Sequence, residues 1–502
     1  MLFRSGTGVD FNAILPGLVD LPAVGTQIAT LTSDAPSGVF TLRAGSSASF
    51  GLTAAGALTV SAALAQSSTH TLNVGVTNSG GTYVETMRVL VGSTGADLMN
   101  GNAGTDVFYG LANSDVINGG AGADVLYGQA GSDTLNGDAD DDLLMGGTGG
   151  DSINGGSGND RIIYQWGHGV DAMDGGADTD RLEIVGTAAN QALTVNFNGT
   201  VITAISQVGT IIGVEAITAD LLGAADLLSY TATTTTGVTV NLGTGSASGF
   251  ASIANIANVT GTDFGDILTG DTGANQLLGR GGDDLFIATV DNALDEFSGA
   301  AGVDTVDYSA YTTGLTINMT LPEPVPVVGS GTTNDILRGI DNLIGGSGDD
   351  VLTGNNVVNN FTGGDGNDRL DGGGNIDVLF GGAGADTLIG GTGRDTMTGG
   401  IGDDHFVFVT AAQSAVGANS DTITDFGGAG AAVGDLIDLS AFPGAFVFIG
   451  GAAFTATAVN QLRVVVTGGD TFIQLDTDSD TGVESQIRLT GIHALTAADF
   501  IV

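Results

Sequence analysis

Apolar positions recur along this chain with a period of nine. From Gly92 the sequence runs GSTGADLMN, GNAGTDVFY, GLANSDVIN, GGAGADVLY, GQAGSDTLN, GDADDDLLM, GGTGGDSIN and GGSGNDRII without a gap. A second run starts at Gly261 (GTDFGDILT, GDTGANQLL, GRGGDDLFI). A third starts at Gly345 (GGSGDDVLT, GNNVVNNFT, GGDGNDRLD, GGGNIDVLF, GGAGADTLI, GGTGRDTMT, GGIGDDHFV). All 18 units begin with glycine, and the eighth position is apolar in every one. The pattern predicts a turn followed by a short strand at positions seven to nine, with position eight facing inward. Two units make one coil of a flattened solenoid. No single coil can bury its core, so the coils must stack.

Outside the runs the pattern changes to alternation with β-branched enrichment, which predicts ordinary strands between Gly and Asn turns. Residues 181–260 carry RLEIVG, ALTVNFN, TVITAIS, GTIIGVEAIT and GVTVNLGTG. Residues 303–320 carry VDTVDYSAYTTGLTINMT, ahead of the proline-rich PEPVPVV at 322–328. Both stretches read as β-rich spacers or wider solenoid coils. The first 91 residues are also strand-like, with VGTQIATL, VFTLRAG, FGLTAAGALTVSAAL, HTLNVGVTN and YVETMRVLVG.

Composition supplies the chemistry of the turns. The chain has 86 glycines, no cysteine, and 56 acidic residues against 11 basic ones, for a net charge of −45. All of the basic residues are arginine. Such a surface repels nucleic acid and anionic membrane and attracts cations. With 42% apolar residues the chain can still bury cores. Glycines at positions one, two and four permit φ > 0 and a tight turn with exposed carbonyls. Position six is Asp in 16 units and Asn in two, Asn275 and Asn359. The aspartates are Asp97, Asp106, Asp115, Asp124, Asp133, Asp142, Asp151, Asp160, Asp266, Asp284, Asp350, Asp368, Asp377, Asp386, Asp395 and Asp404. Stacking sets them side by side, where like charges repel unless a cation intervenes. Carboxylate and carbonyl oxygens without His or Cys select calcium over zinc. The 16 aspartates are therefore the expected ligands of multiple Ca2+ ions.

The repeat resembles the RTX (repeats-in-toxin) family, whose G-G-x-G-x-D-x-U-x units form calcium-bound parallel β-rolls. Five units depart from it at position four, with Asn113, Asp140, Phe264, Val357 and Asn375. Together with Asn275 and Asn359 they mark expected weak or missing slots. DTITDFGGAGAAVGDLIDLSAF (421–442) and SQIRLTGIHALTAADFIV (485–502) resemble the C-terminal module of serralysin-type secreted proteases. That resemblance implies an uncleaved signal for type I secretion, matching an N-terminus without a long apolar h-region. Residues 1–91 resemble a bacterial cadherin-like sandwich, but NVGVTN stands where acidic ligands are expected, and the opening MLFRSG is compatible with a longer protein having been cut short.

The expected fold is all-β: a parallel β-roll with a β-sandwich-like N-terminal domain and β-rich spacers. The expected order is sandwich 1–91, roll 92–180, spacer 181–260, short roll 261–310, spacer 311–344, roll 345–410 and serralysin-like module 411–502.

Catalytic constellations are missing. No two of His70, His168, His405 and His493 are four apart, which excludes HExxH. No G-x-S-x-G elbow occurs. The absence of lysine and of any apolar helical run argues against a pore-forming haemolysin. No run of 18 apolar residues predicts a membrane span. The expected function is a secreted or cell-surface, non-catalytic calcium-binding protein, an adhesin or S-layer-like component. Its expected partners are calcium, a type I exporter and surface or matrix polymers. The alternative is the calcium-binding and export half of a secreted hydrolase, a serralysin-like protease or lipase.

Overall fold

A computed structural model describes the backbone of residues 2–4, 9–12, 27–33, 39–42, 50–52, 57–60, 67–78, 81–329, 334–428, 434–456, 460–478 and 480–502. Side chains are described for 67–69 and, within those ranges, from 87 onward. Two units form, residues 1–235 with 245–256 and residues 236–244 with 257–502. Among the described residues the structure is strand and turn, with two 3-10 turns, Gly417–Asn419 and Ala497–Asp499.

In the first unit two parallel ladders climb together. One contains Asp106–Ala112, Val125–Ala130, Leu143–Thr148, Arg161–Gln165, Arg181–Val185 and Ala216–Asp220. The other contains Leu98–Asn100, Val116–Ala121, Thr134–Ala139, Ser152–Ser157, Asp171–Ala177 and Gly209–Ile212. Partners such as Ile117 and Leu135 are 18 residues apart, so two nonapeptides make one coil. All 18 apolar eighth positions are buried between the ladders, from Met99 to Phe406. Burying each such side chain is worth about 1.5–3 kcal/mol.

The strands are longer than expected on both ladders of the first run, and on alternate half-coils of the third. Val116–Ala121 runs through positions seven to nine and on into positions one to three of the next unit. On the opposite ladder positions seven and nine are buried too, as at Val107, Tyr109, Val125 and Tyr127, and Tyr109 stacks on Tyr127 at 5.2 Å.

Of the two readings of these stretches, spacer or wider coil, the pairing is that of wide coils in register with the narrow ones. Asp171–Ala177 pairs in parallel with Gly209–Ile212, and the intervening chain adds the strands Ala192–Phe197 and Ile202–Ile205. In the second unit Glu296–Ala301 pairs with Asp335–Arg338, and the proline-rich stretch supplies Val325–Val328. The inserted strands join the ladder and bury apolar side chains of their own, among them Val195, Ile205 and Val327.

The boundary expected at residue 91 is crossed by a sheet. Gly81–Val91 closes an antiparallel hairpin with Ser68–Asn78 and also pairs in parallel with Asp106–Ala112. The hairpin covers a sheet edge that would otherwise be open. Further back, the backbone strands Leu2–Arg4, Val9–Asn12, Gln27–Ser33 and Ala57–Val60 pair antiparallel. The side chains of a cadherin-like sandwich lie outside the described residues. Near the C-terminus, Phe500–Ile501 pairs in parallel with Leu436–Asp438, so the Phe-Ile of the terminal Asp-Phe-Ile-Val is part of a ladder.

Candidate metal centre

The position-six aspartates stack one above another, and each rung is a hydrogen bond. The Asp106 N–H donates to Oδ1 of Asp124 at 2.7 Å, the Asp124 N–H to Asp142, and the Asp142 N–H to Asp160. The third run repeats this, with Asp350 donating to Asp368, Asp368 to Asp386 and Asp386 to Asp404. One oxygen of each accepting carboxylate is thereby used to hold the coil before it.

The fate of the other oxygen divides the 18 units without exception. In the first two units of each run, the position-two N–H donates back to the position-six side chain. The pairs are Ser93 to Asp97, Asn102 to Asp106, Thr262 to Asp266, Asp271 to Asn275, Gly346 to Asp350 and Asn355 to Asn359. Asp106 is further claimed by Arg88, whose guanidinium reaches both of its oxygens. In the other 12 units, Oδ2 is buried without a hydrogen-bond partner: Asp115, Asp124, Asp133, Asp142, Asp151, Asp160, Asp284, Asp368, Asp377, Asp386, Asp395 and Asp404. An unpaired buried carboxylate oxygen is costly. Twelve of them lie at matching places in the repeat.

The glycines explain how the oxygen is held there. Glycine at position one permits φ > 0, but no position-one glycine adopts it. The glycine there is required by crowding: a Cβ on Gly381 would lie 2.4 Å from Oδ2 of Asp386 and 2.5 Å from the carbonyl of Gly399. Positions two and four carry the left-handed turns, as at Gly382 (φ 122°) and Gly384 (φ 139°). Asn113, Asp140 and Asn375 keep that turn at position four with φ of 69–81°, a region Asn and Asp tolerate. Their units therefore hold Asp115, Asp142 and Asp377 like the rest, and the expected weakening is not visible in the geometry. Phe264 and Val357 sit in opening units, where position four is not left-handed. Asn275 and Asn359 are also in opening units. Each accepts the position-two N–H and donates its amide to a carbonyl 18 residues back, Ala257 and Asp341.

Burial pushes up the 12 carboxyls that have an unpartnered oxygen, and neighbouring aspartates add to the effect at most of them. Asp142 rises to about 9, Asp124 to about 8, and Asp160, Asp284, Asp368 and Asp377 to about 7. Such a stack is unfavourable as bare carboxylate and favourable around a divalent cation.

The sequence reading missed three aspartates with the same buried, unpartnered Oδ2: Asp180, Asp304 and Asp421. Each accepts the N–H of an aspartate one coil earlier, Asp160, Asp284 and Asp395, across 20 to 26 residues. A legible signal was present. Each is followed two residues on by a buried apolar residue, Leu182, Val306 and Ile423.

Comparison with known proteins agrees with this geometry. The RTX calcium-binding nonapeptide repeat matches at 89–117, 109–144, 136–170 and 260–292, and the peptidase M10 serralysin C terminal matches 284–502. The chain carries RTX calcium-binding repeats and a serralysin C-terminal domain. Those two features mark it as a secreted, calcium-binding substrate of type I export, and neither is a catalytic domain. The serralysin match takes in the third RTX run as well as the module expected from 411. No matched family covers residues 1–88, so the cadherin-like resemblance is not shown.

A search of curated proteins finds no match. Among solved structures, the AlgE6R2 subunit of the Azotobacter vinelandii mannuronan C5-epimerase is 31% identical, covering 32% of this chain and 90% of its own, with a TM-score of 0.18. The AlgE6R3 subunit of that enzyme is 30% identical over 31% and 78%, with a TM-score of 0.19. Extracellular lipase LipA of Serratia marcescens is 16% identical over 49% and 39%, with a TM-score of 0.15. Among the described residues no helix is long and apolar enough to cross a membrane.

Proposed function

We propose that this chain is a non-catalytic, calcium-folded surface or matrix protein, an adhesin or S-layer-like component. The observation that carries the reading is the set of 12 buried Oδ2 atoms without partners. Those 12 aspartates, with Asp180, Asp304 and Asp421, are the calcium ligands, together with carbonyl oxygens of the turns. Asp97, Asp106, Asp266 and Asp350, whose outer oxygens are already hydrogen-bonded, cap the runs.

If external calcium exceeds a site's Kd tenfold, each filled site adds ~1.4 kcal/mol. Ten or more sites add on the order of 15 kcal/mol, comparable to a domain's whole stability. Calcium is scarce in the cytosol, so the chain stays unfolded for export and folds outside. The side chains of the roll are spent on rungs, slots and core, which favours a scaffold over an enzyme. Its partners are the exporter and polymers of a cell surface or matrix.

Far-UV circular dichroism of the full chain in EGTA, then in millimolar calcium, tests the folding half. The expected result is a disordered spectrum that becomes β-rich, with magnesium substituting poorly because it demands octahedral geometry. A spectrum already folded in EGTA refutes it. Fractionating a secreting culture tests the scaffold half: the protein should sediment with cells or matrix in calcium, and a wholly soluble pool would count against it.

A further inference from the structure

Beyond the roll, the serralysin domain carries a second kind of acidic site. The strands Asp470–Asp476 and Ser485–Leu489 pair antiparallel, and the chain joining them reads DTDSDTGVE from Asp476. Asp476 ends its strand fully buried, with 0% exposure. Its Oδ1 accepts the Asp478 N–H at 3.2 Å, and its Oδ2 has no hydrogen-bond partner. Glu484 comes back across the loop, where its Oε2 accepts the Thr477 N–H at 2.8 Å.

One carboxylate oxygen each from Asp476, Asp478 and Glu484 lie within 4.8 Å of one another. That is no farther than two calcium–oxygen bonds of about 2.4 Å laid end to end. None of the six ion pairs among the described residues involves these groups or Asp480.

We propose that Asp476, Asp478 and Glu484 hold one calcium ion, independent of the slots of the roll. A buried carboxylate with an orphaned oxygen, facing two more carboxylates and no cation, is strongly unfavourable alone. A divalent ion relieves all three at once. The ligands are hard oxygens only, which selects calcium over zinc or copper. Alternate aspartates at 476, 478 and 480 have the spacing that opens an EF-hand loop, whereas the glutamate comes at the ninth place and not the twelfth.

The ion has a structural consequence. Ser485 and Gln486 lock onto Ser414: Ser485 Oγ donates to the Ser414 carbonyl at 2.8 Å, and Ser414 Oγ donates to the Gln486 carbonyl at 2.7 Å. The same strand pairs with Thr422–Ile423. A cation at the base of the loop therefore fixes the strand that seats the C-terminal hairpin on the ladder.

The test uses the full chain and the double variant Asp478→Asn/Glu484→Gln, which alters an exposed and a half-buried group and leaves Asp476 in place. Equilibrium dialysis against radioactive calcium at saturation should show one bound ion fewer per chain. Asp368→Asn, a change in the roll, serves as a control for the resolution of the count. Crystals of the unaltered chain grown in calcium and soaked with terbium should give an anomalous peak between the three carboxylates. That map decides the matter if the variant fails to fold. Equal calcium counts for the double variant and the unaltered chain overturn the proposal, as does terbium in the roll with none at this loop.

Discussion

At residue scale, positions six and eight do opposite work two residues apart. Asp386 presents one oxygen to the Asp368 N–H and keeps the other buried without a hydrogen-bond partner, while Leu388 is fully buried. Asp386→Asn keeps the rung acceptor and removes the charge. It should shift the calcium midpoint of folding upward and leave the roll foldable at higher calcium. Leu388→Asp buries an unpaired charge between ladders at a cost on the order of 4 kcal/mol, and added calcium should not rescue it. A calcium titration followed by far-UV signal separates the two. Equal responses would show that the assignment of ligand and core positions is wrong.

At the scale of the coil, the first turn of a run differs from the rest because nothing precedes it in the nonapeptide pattern. Later position-two residues adopt φ > 0, including Leu111, Gln129, Asp138 and Arg280, which are not glycine. The opening units keep ordinary φ there and turn the position-two N–H onto the aspartate. Asn275 and Asn359 show that an amide serves as well in that place. Asp266→Asn keeps the Thr262 bond and gives up the Val238 one, so it should leave the number of bound calcium ions unchanged with only a small loss of stability. Asp284→Asn, one coil on, should lose an ion and raise the midpoint. Calorimetric titration of the two variants of the full chain checks this, and a matched loss in both would contradict the division into capping and ligand aspartates.

At the scale of the molecule, the stacked carboxyls set an unusual pH dependence. Their folded values lie above the ordinary 3.8, up to about 9 at Asp142 and about 8 at Asp124. The metal-free folded state therefore holds more protons than the unfolded one. Its stability is present in full below about pH 4 and is lost as pH rises through about 6 to 9. Calcium binding requires the deprotonated groups, so affinity should rise over that same window. Calcium titrations of folding, followed by far-UV signal, should therefore show a lower calcium midpoint at pH 8.5 than at pH 5. A midpoint that does not fall as pH rises would mean the aspartates are not stacked and buried as described.

The nonapeptides made the roll legible because a solenoid's contacts are nearly local. Gly at position one, Asp at six and an apolar residue at eight each mark one inward or turn place, so the repeat period, the core positions and the metal followed from the pattern alone. Three things needed the tertiary structure. The choice between spacer and wide coil in 181–260 and 311–344 needed it, because register across 35 or 40 residues is set by pairing in space, as between Asp180 and Glu215 or Asp295 and Asp335, and not by spacing. Capping aspartates are distinguished from ligands only by where a neighbouring N–H points. The cluster at Asp476 gained its meaning from burial: three acidic residues on a loop are commonplace, and only the enclosed, unpartnered oxygen of Asp476 makes them a site.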